Sequence, residues 1–83
     1  MDAKQATQKA LEYANELLGN SARDLRLEEV DRSGGVWKIT LSWEERAAAK
    51  GMLSQINGTP REFKVFSIDD ATGQMVSMKL RSA

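Results

Sequence analysis

The chain contains neither cysteine nor histidine. These two absences together remove disulfides, thiolate nucleophiles, soft-metal sites and the usual general base at neutral pH. Net charge is also missing, because 12 basic residues balance 12 acidic ones, so no overall field draws nucleic acid or an anionic membrane to the molecule. No stretch approaches the roughly 20 apolar residues of a membrane-spanning helix. The opening segment, "MDAKQATQKALEYANELLGN", alternates charged and apolar residues and lacks the basic start, apolar stretch and cleavage site of a signal peptide. These absences predict a cytoplasmic protein with no cofactor, no nucleic-acid partner and no membrane partner. With 83 residues, the chain has material for one modest core and one domain, spanning 1–83.

What is present begins with a helix. Ala3, Ala6, Ala10, Ala14 and Leu17 recur at three- and four-residue spacing, with Leu11 and Leu18 widening the stripe, so the pattern predicts an amphipathic helix over 3–18. Asp2 and Gln5 have the spacing of a capping box, and Gly19-Asn20 supplies the stop. A stripe dominated by alanine lets the helix lie close to whatever it covers, which suits packing on a sheet.

From residue 25 the period changes to two. In "VWKITLSW" Trp37, Ile39, Leu41 and Trp43 alternate with Lys38, Thr40 and Ser42, the pattern of a half-buried strand. Leu25 and Leu27 begin a similar alternation that breaks at Glu29-Val30, as a bulge would break it. The paired glycines of "DRSGG" suit a tight hairpin turn, making these two strands antiparallel neighbours. A second hairpin is expected over 61–69 and 74–81, with Val76, Met78 and Leu80 on its dry face. In its first strand Phe63 and Val65 point one way and Phe66 and Ile68 the other, so that strand is either covered on both faces or shows an apolar pair to solvent or a partner. Between the hairpins, residues 44–60 form an insert: a short helix with Ala49, Met52, Leu53 and Ile56 on one face, or a mobile loop. The order α-β-β-[short helix or loop]-β-β predicts an α+β domain, one helix across a four-stranded antiparallel sheet.

Three groups of residues invite a chemical reading. Asp69 and Asp70 stand beside Thr72 and Gly73, but a calcium loop wants oxygen ligands at alternate positions over about a dozen residues, and Ala71, Gly73, Met75 and Val76 supply no side-chain oxygen. A turn explains the same residues, with Asp and Thr accepting backbone N–H groups and Gly73 taking a left-handed position. Glu28, Glu29, Asp31, Glu44 and Glu45 are read as solvated charge. Arg26, Lys38, Lys64, Lys79 and Arg81 are read as part of a mixed-charge face, since Glu28 and Glu62 dilute them and the aromatic spacing of RNA-reading sheets is missing. None of the seven serines stands in a nucleophile elbow, and no phosphate-binding glycine motif can be written through the chain. No catalytic, cofactor or metal residue is nominated.

The last hairpin resembles that of the PepSY domain, whose pattern runs from an aromatic strand through Asp, Thr-Gly and an alternating strand. The matching residues are Phe63, Val65, Ile68, Asp69, Thr72, Gly73 and Val76. Small immunity-like and chaperone-like proteins resemble it through the same hairpin. The resemblance implies a PepSY- or cystatin-like fold and a protease-inhibitory or protein-binding role; it implies no catalytic residue. The sequence therefore leads to a small non-enzymatic interaction module whose partner is another protein or a second copy of itself, with Trp43, Met52, Phe63 and Phe66 as contact residues. A symmetric homodimer and a small-ligand pocket between helix and sheet are the competing expectations.

Overall fold

The computed structural model describes residues 1–45 and 61–80. Its elements are helix α1 (Ala3–Leu18), a 3-10 turn over Gly19–Ser21, and strands β1 (Ala22–Ser33), β2 (Val36–Glu45), β3 (Arg61–Asp69) and β4 (Met75–Leu80). The strands form one antiparallel sheet in the order β1-β2-β3-β4, and α1 lies across one face of it. The expected α+β architecture is therefore present. Glu44 and Glu45 close β2, so they belong to the sheet and not to the insert. The proposed second helix or loop, Met52 included, lies outside the described residues.

Helix α1 starts where its capping chemistry places it. The Asp2 carboxylate accepts the Gln5 backbone N–H at 2.8 Å, and the Gln5 side-chain oxygen accepts the Asp2 N–H at 3.0 Å, satisfying two donors that the first turn leaves open. At the other end the Gly19 N–H donates to the Asn15 carbonyl. Ala6, Ala10 and Ala14 are buried, and Leu11, Tyr13 and Leu18 pack around them. Leu17 shares the angular stripe yet is 55% exposed, and Ala3 is exposed as well. Only the middle of the helix is covered: angle around the axis nominates a buried residue, but position along the axis decides it.

Beneath the alanines lie Ile39, Leu41 and Trp43 of β2 and Phe66 and Ile68 of β3, all fully buried. Directly paired residues share a sheet face, so the pairs Ile39–Phe66 and Trp37–Ile68 put both central strands' apolar rows on the helix side. Trp43 and Phe66 meet edge to face, with ring centroids 6.4 Å apart and planes at 70°, a geometry the ring quadrupoles favour. The two-sided apolar pattern of β3 is explained by its central position: Phe66 and Ile68 face the helix, while Phe63 and Val65 are half-buried on the opposite face.

Bulges correct two details of the sequence pattern. In β1 the pairs Leu27–Leu41 and Glu29–Thr40 leave Glu28 as an extra residue, so Leu27 and Val30 both reach the helix face despite their odd spacing. In β4 the pairs Ile68–Met75 and Ser67–Ser77 leave Val76 as the extra residue. Met75 and Met78 therefore pack on the core, whereas Val76 is 63% and Leu80 69% exposed. Of the dry row expected at Val76, Met78 and Leu80, only Met78 is covered: the bulge puts Met75 opposite Ile68 in place of Val76, while Leu80 keeps the register of Met78 and stands exposed at the end of the strand.

The close seat of the helix yields a stability prediction. Ala10→Leu must force added volume between α1 and β2, and should destabilise the domain by about 1–3 kcal/mol, whereas Leu17→Ala should change stability by less than about 0.5 kcal/mol. Urea unfolding followed by tryptophan fluorescence measures both; equal effects would contradict the packing described.

Candidate functional site

The acidic turn is built as a turn. The Asp69 side chain accepts the backbone N–H groups of Ala71 at 2.8 Å and Thr72 at 3.0 Å. Its carbonyl accepts the Gly73 N–H at 2.8 Å, and the Thr72 hydroxyl accepts the Gln74 N–H at 3.2 Å. Gly73 has φ 74°, a conformation that a side chain would strain. Every polar group that suggested a cation site is engaged by the chain itself, and among the described residues no three metal-ligating side chains converge.

Asp70 performs a separate task. Its carboxylate accepts the Trp37 indole N–H and an Arg32 guanidinium N–H, each at 2.8 Å, and its backbone N–H donates to the Gly35 carbonyl at 3.0 Å. The β1–β2 and β3–β4 turns are thereby tied together at one end of the sheet. The tie works because Gly34 and Gly35 both have positive φ, at 55° and 76°, as a two-residue primed turn requires. The resulting tight turn brings Arg32 and Trp37 opposite each other, with the guanidinium 5.5 Å from the ring centroid. The Met1 amino group lies 3.7 Å from the same carboxylate.

The opposite end of the sheet has its own polar clamp. Arg61, on β3, donates to the Ser42 hydroxyl of β2 at 2.9 and 3.2 Å, and to the Asp24 carboxylate and carbonyl of β1 at 3.1 and 2.7 Å. The Ser42 hydroxyl donates to Glu28 at 2.6 Å, and Arg26 pairs with Asp24 at 2.7 Å. Asp24 holds φ 53°, which Asp tolerates better than most residues. Arg26 above all, by hydrogen bond and charge, with Arg61 adding to it, holds the Asp24 carboxyl below its ordinary range. Glu28, read from the sequence as solvated charge, is exposed but engaged with Ser42.

The four nominated contact residues are dispersed. Trp43 and Phe66 are fully buried in the core, so neither offers a surface to a partner while the domain is folded. This corrects their assignment: Trp43 stands at the end of its strand, but its row lies under the helix, and Phe66 takes the helix side of β3. Trp37, the other tryptophan, is the half-buried one. Phe63 lies half-buried on the face away from the helix, and Met52 falls outside the described residues. Lys64 is set over the Trp43 ring at 6.0 Å, on the helix side and away from Lys38 and Lys79. The basic residues are thus divided between the two faces.

An open apolar surface lies between the first turns of α1 and β1. Ala3, Thr7 and Leu11 of the helix and Leu27 and Val30 of the strand line a groove of about 510 Å³, with Lys4 and Gln8 on its rim. Leu27 is 47% exposed there. Sequence reasoning missed this groove because it depends on the extra residue at Glu28, which turns Leu27 and Val30 to one side. The break in alternation at Glu29-Val30 was its visible signal. Among the described residues, no helix is long and apolar enough to cross a membrane.

Asp70 provides a pH prediction. Its carboxyl is held below the ordinary value of 3.8, first by the Trp37 hydrogen bond and then by Arg32 and the amino group of Met1. A depressed folded-state value means that the unfolded chain binds more protons in that window, so stability falls as pH drops from 3.8 through the folded value. Asp70→Asn should destabilise the domain at neutral pH and flatten this acid-side slope. Urea midpoints from pH 6 to about pH 2.5, read against the linkage relation, test it; an unchanged slope would assign the acid sensitivity to other groups.

No protein-family model, curated protein or solved structure matches the chain.

Proposed function

We propose that this domain is a non-catalytic protein-interaction module that receives an apolar anchor of another protein in the groove between α1 and β1. The observation that carries this reading is Leu27. A leucine 47% exposed beside Leu11, Val30 and Ala3 leaves an apolar recess on a chain too small to dispense with core area. Anchors of this kind, an aliphatic or aromatic side chain seated in an apolar recess, dominate the energetics of many interfaces. Lys4 on the rim suits a partner segment that carries an acidic residue next to its anchor.

Composition supports a binding role over a catalytic one. The chain offers no histidine or cysteine to act as base or nucleophile, and the two carboxylates drawn below their ordinary range, Asp24 and Asp70, are held by hydrogen bonds and ion pairs that clamp the sheet. Both are kept ionised, which suits bracing and opposes proton donation. The resemblance of Phe63, Val65, Ile68, Asp69, Thr72, Gly73 and Val76 to the last PepSY hairpin points the same way, since that family is associated with inhibition and protein binding. A PepSY-like inhibitory or regulatory module is accordingly the form of the proposal.

The test compares two exposed leucines. A host protein retained by the immobilised wild-type domain should lose at least about tenfold in affinity for Leu27→Asp and bind Leu17→Asp unchanged, as measured by biolayer interferometry. Equal retention by both variants, or no specific partner for the wild type, would overturn the assignment of the groove.

A further inference from the structure

The two edges of the sheet are built differently. β1 is guarded: two register shifts interrupt it at Asp24-Leu25 and at Glu28. It also carries Arg23, Asp24, Arg26, Glu28, Glu29, Asp31 and Arg32 within 12 residues. Bulges and charge are the usual means of stopping an edge strand from pairing with another chain. β4, the other edge, carries one charge, Lys79, in the six residues "MVSMKL". Its single bulge lies at Val76, and from Ser77 to Leu80 it pairs regularly with β3.

The exposed residues of β4 have a particular spacing. Residues 76, 78 and 80 share one face, and the pairing of Met78 with Phe66 makes that the helix face. Val76 is 63% and Leu80 69% exposed, while Met78 between them packs against the core. The two open side chains thus stand two residues on either side of Met78. We infer that β4 pairs antiparallel with β4 of a second copy of this chain about a two-fold axis at Met78, making one continuous eight-stranded sheet.

Self-complementarity selects the second copy as the occupant. In an antiparallel pair centred on Met78, position 76 of one chain meets position 80 of the other, so each exposed Val76 lies against a Leu80 and both are covered twice by one symmetry operation. Lys79 meets Ser77 of the second copy, which keeps the lysines from facing each other; a centre at Lys79 would oppose them directly. A centre at Ser77 would put Val76 against Met78 and leave Leu80 without an apolar partner. Direct cross-strand pairs of aliphatic side chains are a recognised unit of sheet stabilisation. The axis runs through the sheet, so both copies carry α1 on the same side. Both α1–β1 grooves then lie towards the outer edges, clear of the junction. The inference is independent of the proposed role of those grooves.

Light scattering from about 1 µM to about 1 mM, a span that covers weak and moderate dimers, should show the two-chain mass growing in with concentration. Val76→Lys alone and Leu80→Glu alone should each weaken the dimer tenfold or more, and the double variant should recover it, because each introduced lysine then faces an introduced glutamate. The chain's lack of cysteine allows a register test. Oxidising a mixture of Val76→Cys and Leu80→Cys chains should give the mixed disulfide, while neither variant alone should cross-link, since like positions would be four residues apart. Circular dichroism confirms that each variant is folded; these sites are exposed, and the cysteine pair still reads the register if a charged variant fails to fold. A monomer throughout the range, a dimer indifferent to both charged substitutions, or cross-linking between like positions would overturn the inference. Leu27→Asp should leave the dimer intact, so failure of the groove and failure of the edge are read separately.

Discussion

The close seat of three alanines on two aromatic-bearing strands is the contact on which the rest of this structure depends. Ala6, Ala10 and Ala14 have no side chain beyond a methyl group, so α1 approaches β2 and β3 closely enough to cover Trp43, Phe66, Ile39, Leu41 and Ile68 completely. The large volume is supplied by the sheet and the small volume by the helix. A helix with leucines at the same positions would stand further off, and its one narrow stripe would cover less of the sheet. Among the described residues, every fully buried apolar side chain belongs to this one contact. Division of labour between large and small residues is how such a core reaches dense packing.

Polar chemistry holds the two ends of the sheet in addition to this apolar contact. Asp70 joins the two turns at one end through Trp37, Arg32 and the Gly35 carbonyl. Arg61 joins three strands at the other through Ser42 and Asp24. These are charge-assisted hydrogen bonds, stronger in kind than those between neutral groups. Their geometric effect matters as much, because each fixes the relative register of strands that local turns alone would leave free to slip. A chain without cysteine meets with directional carboxylate and guanidinium contacts the need that other small domains meet with disulfides.

Much of this arrangement was legible in the residues, and the exceptions share a cause. The helix limits could be read because capping and termination are local: Asp2, Gln5 and Gly19 act within one turn of themselves. The strand rows of β2 and the turn at Asp69–Gly73 could be read for the same reason. The burial of Leu17, the register of Val76 and the role of Asp70 could not, because each depends on where a second element ends or on a partner more than 30 residues away. Trp43 and Phe66 were legible as apolar but not as inaccessible, since alternation shows which residues share a face and not which face the helix takes. The groove at Leu27 falls between these cases: its break in periodicity was visible, and its meaning required the position of α1.

The same bulges that defeat simple alternation also divide the surface by accessibility. In β1 the extra Glu28 turns Leu27 toward the helix side and at the same time interrupts the strand's outer edge, so one residue both opens a recess and discourages edge pairing. In β4 the extra Val76 lies at the strand's first turn of register, before the four regularly paired residues, so it exposes an apolar side chain without breaking the edge that follows. An insertion near the middle of a strand guards its edge; an insertion at the start of a strand leaves most of the edge intact. These two open apolar features of the described residues therefore differ in kind. On the proposed readings, the recess beside β1 takes a side chain and the edge of β4 takes a strand.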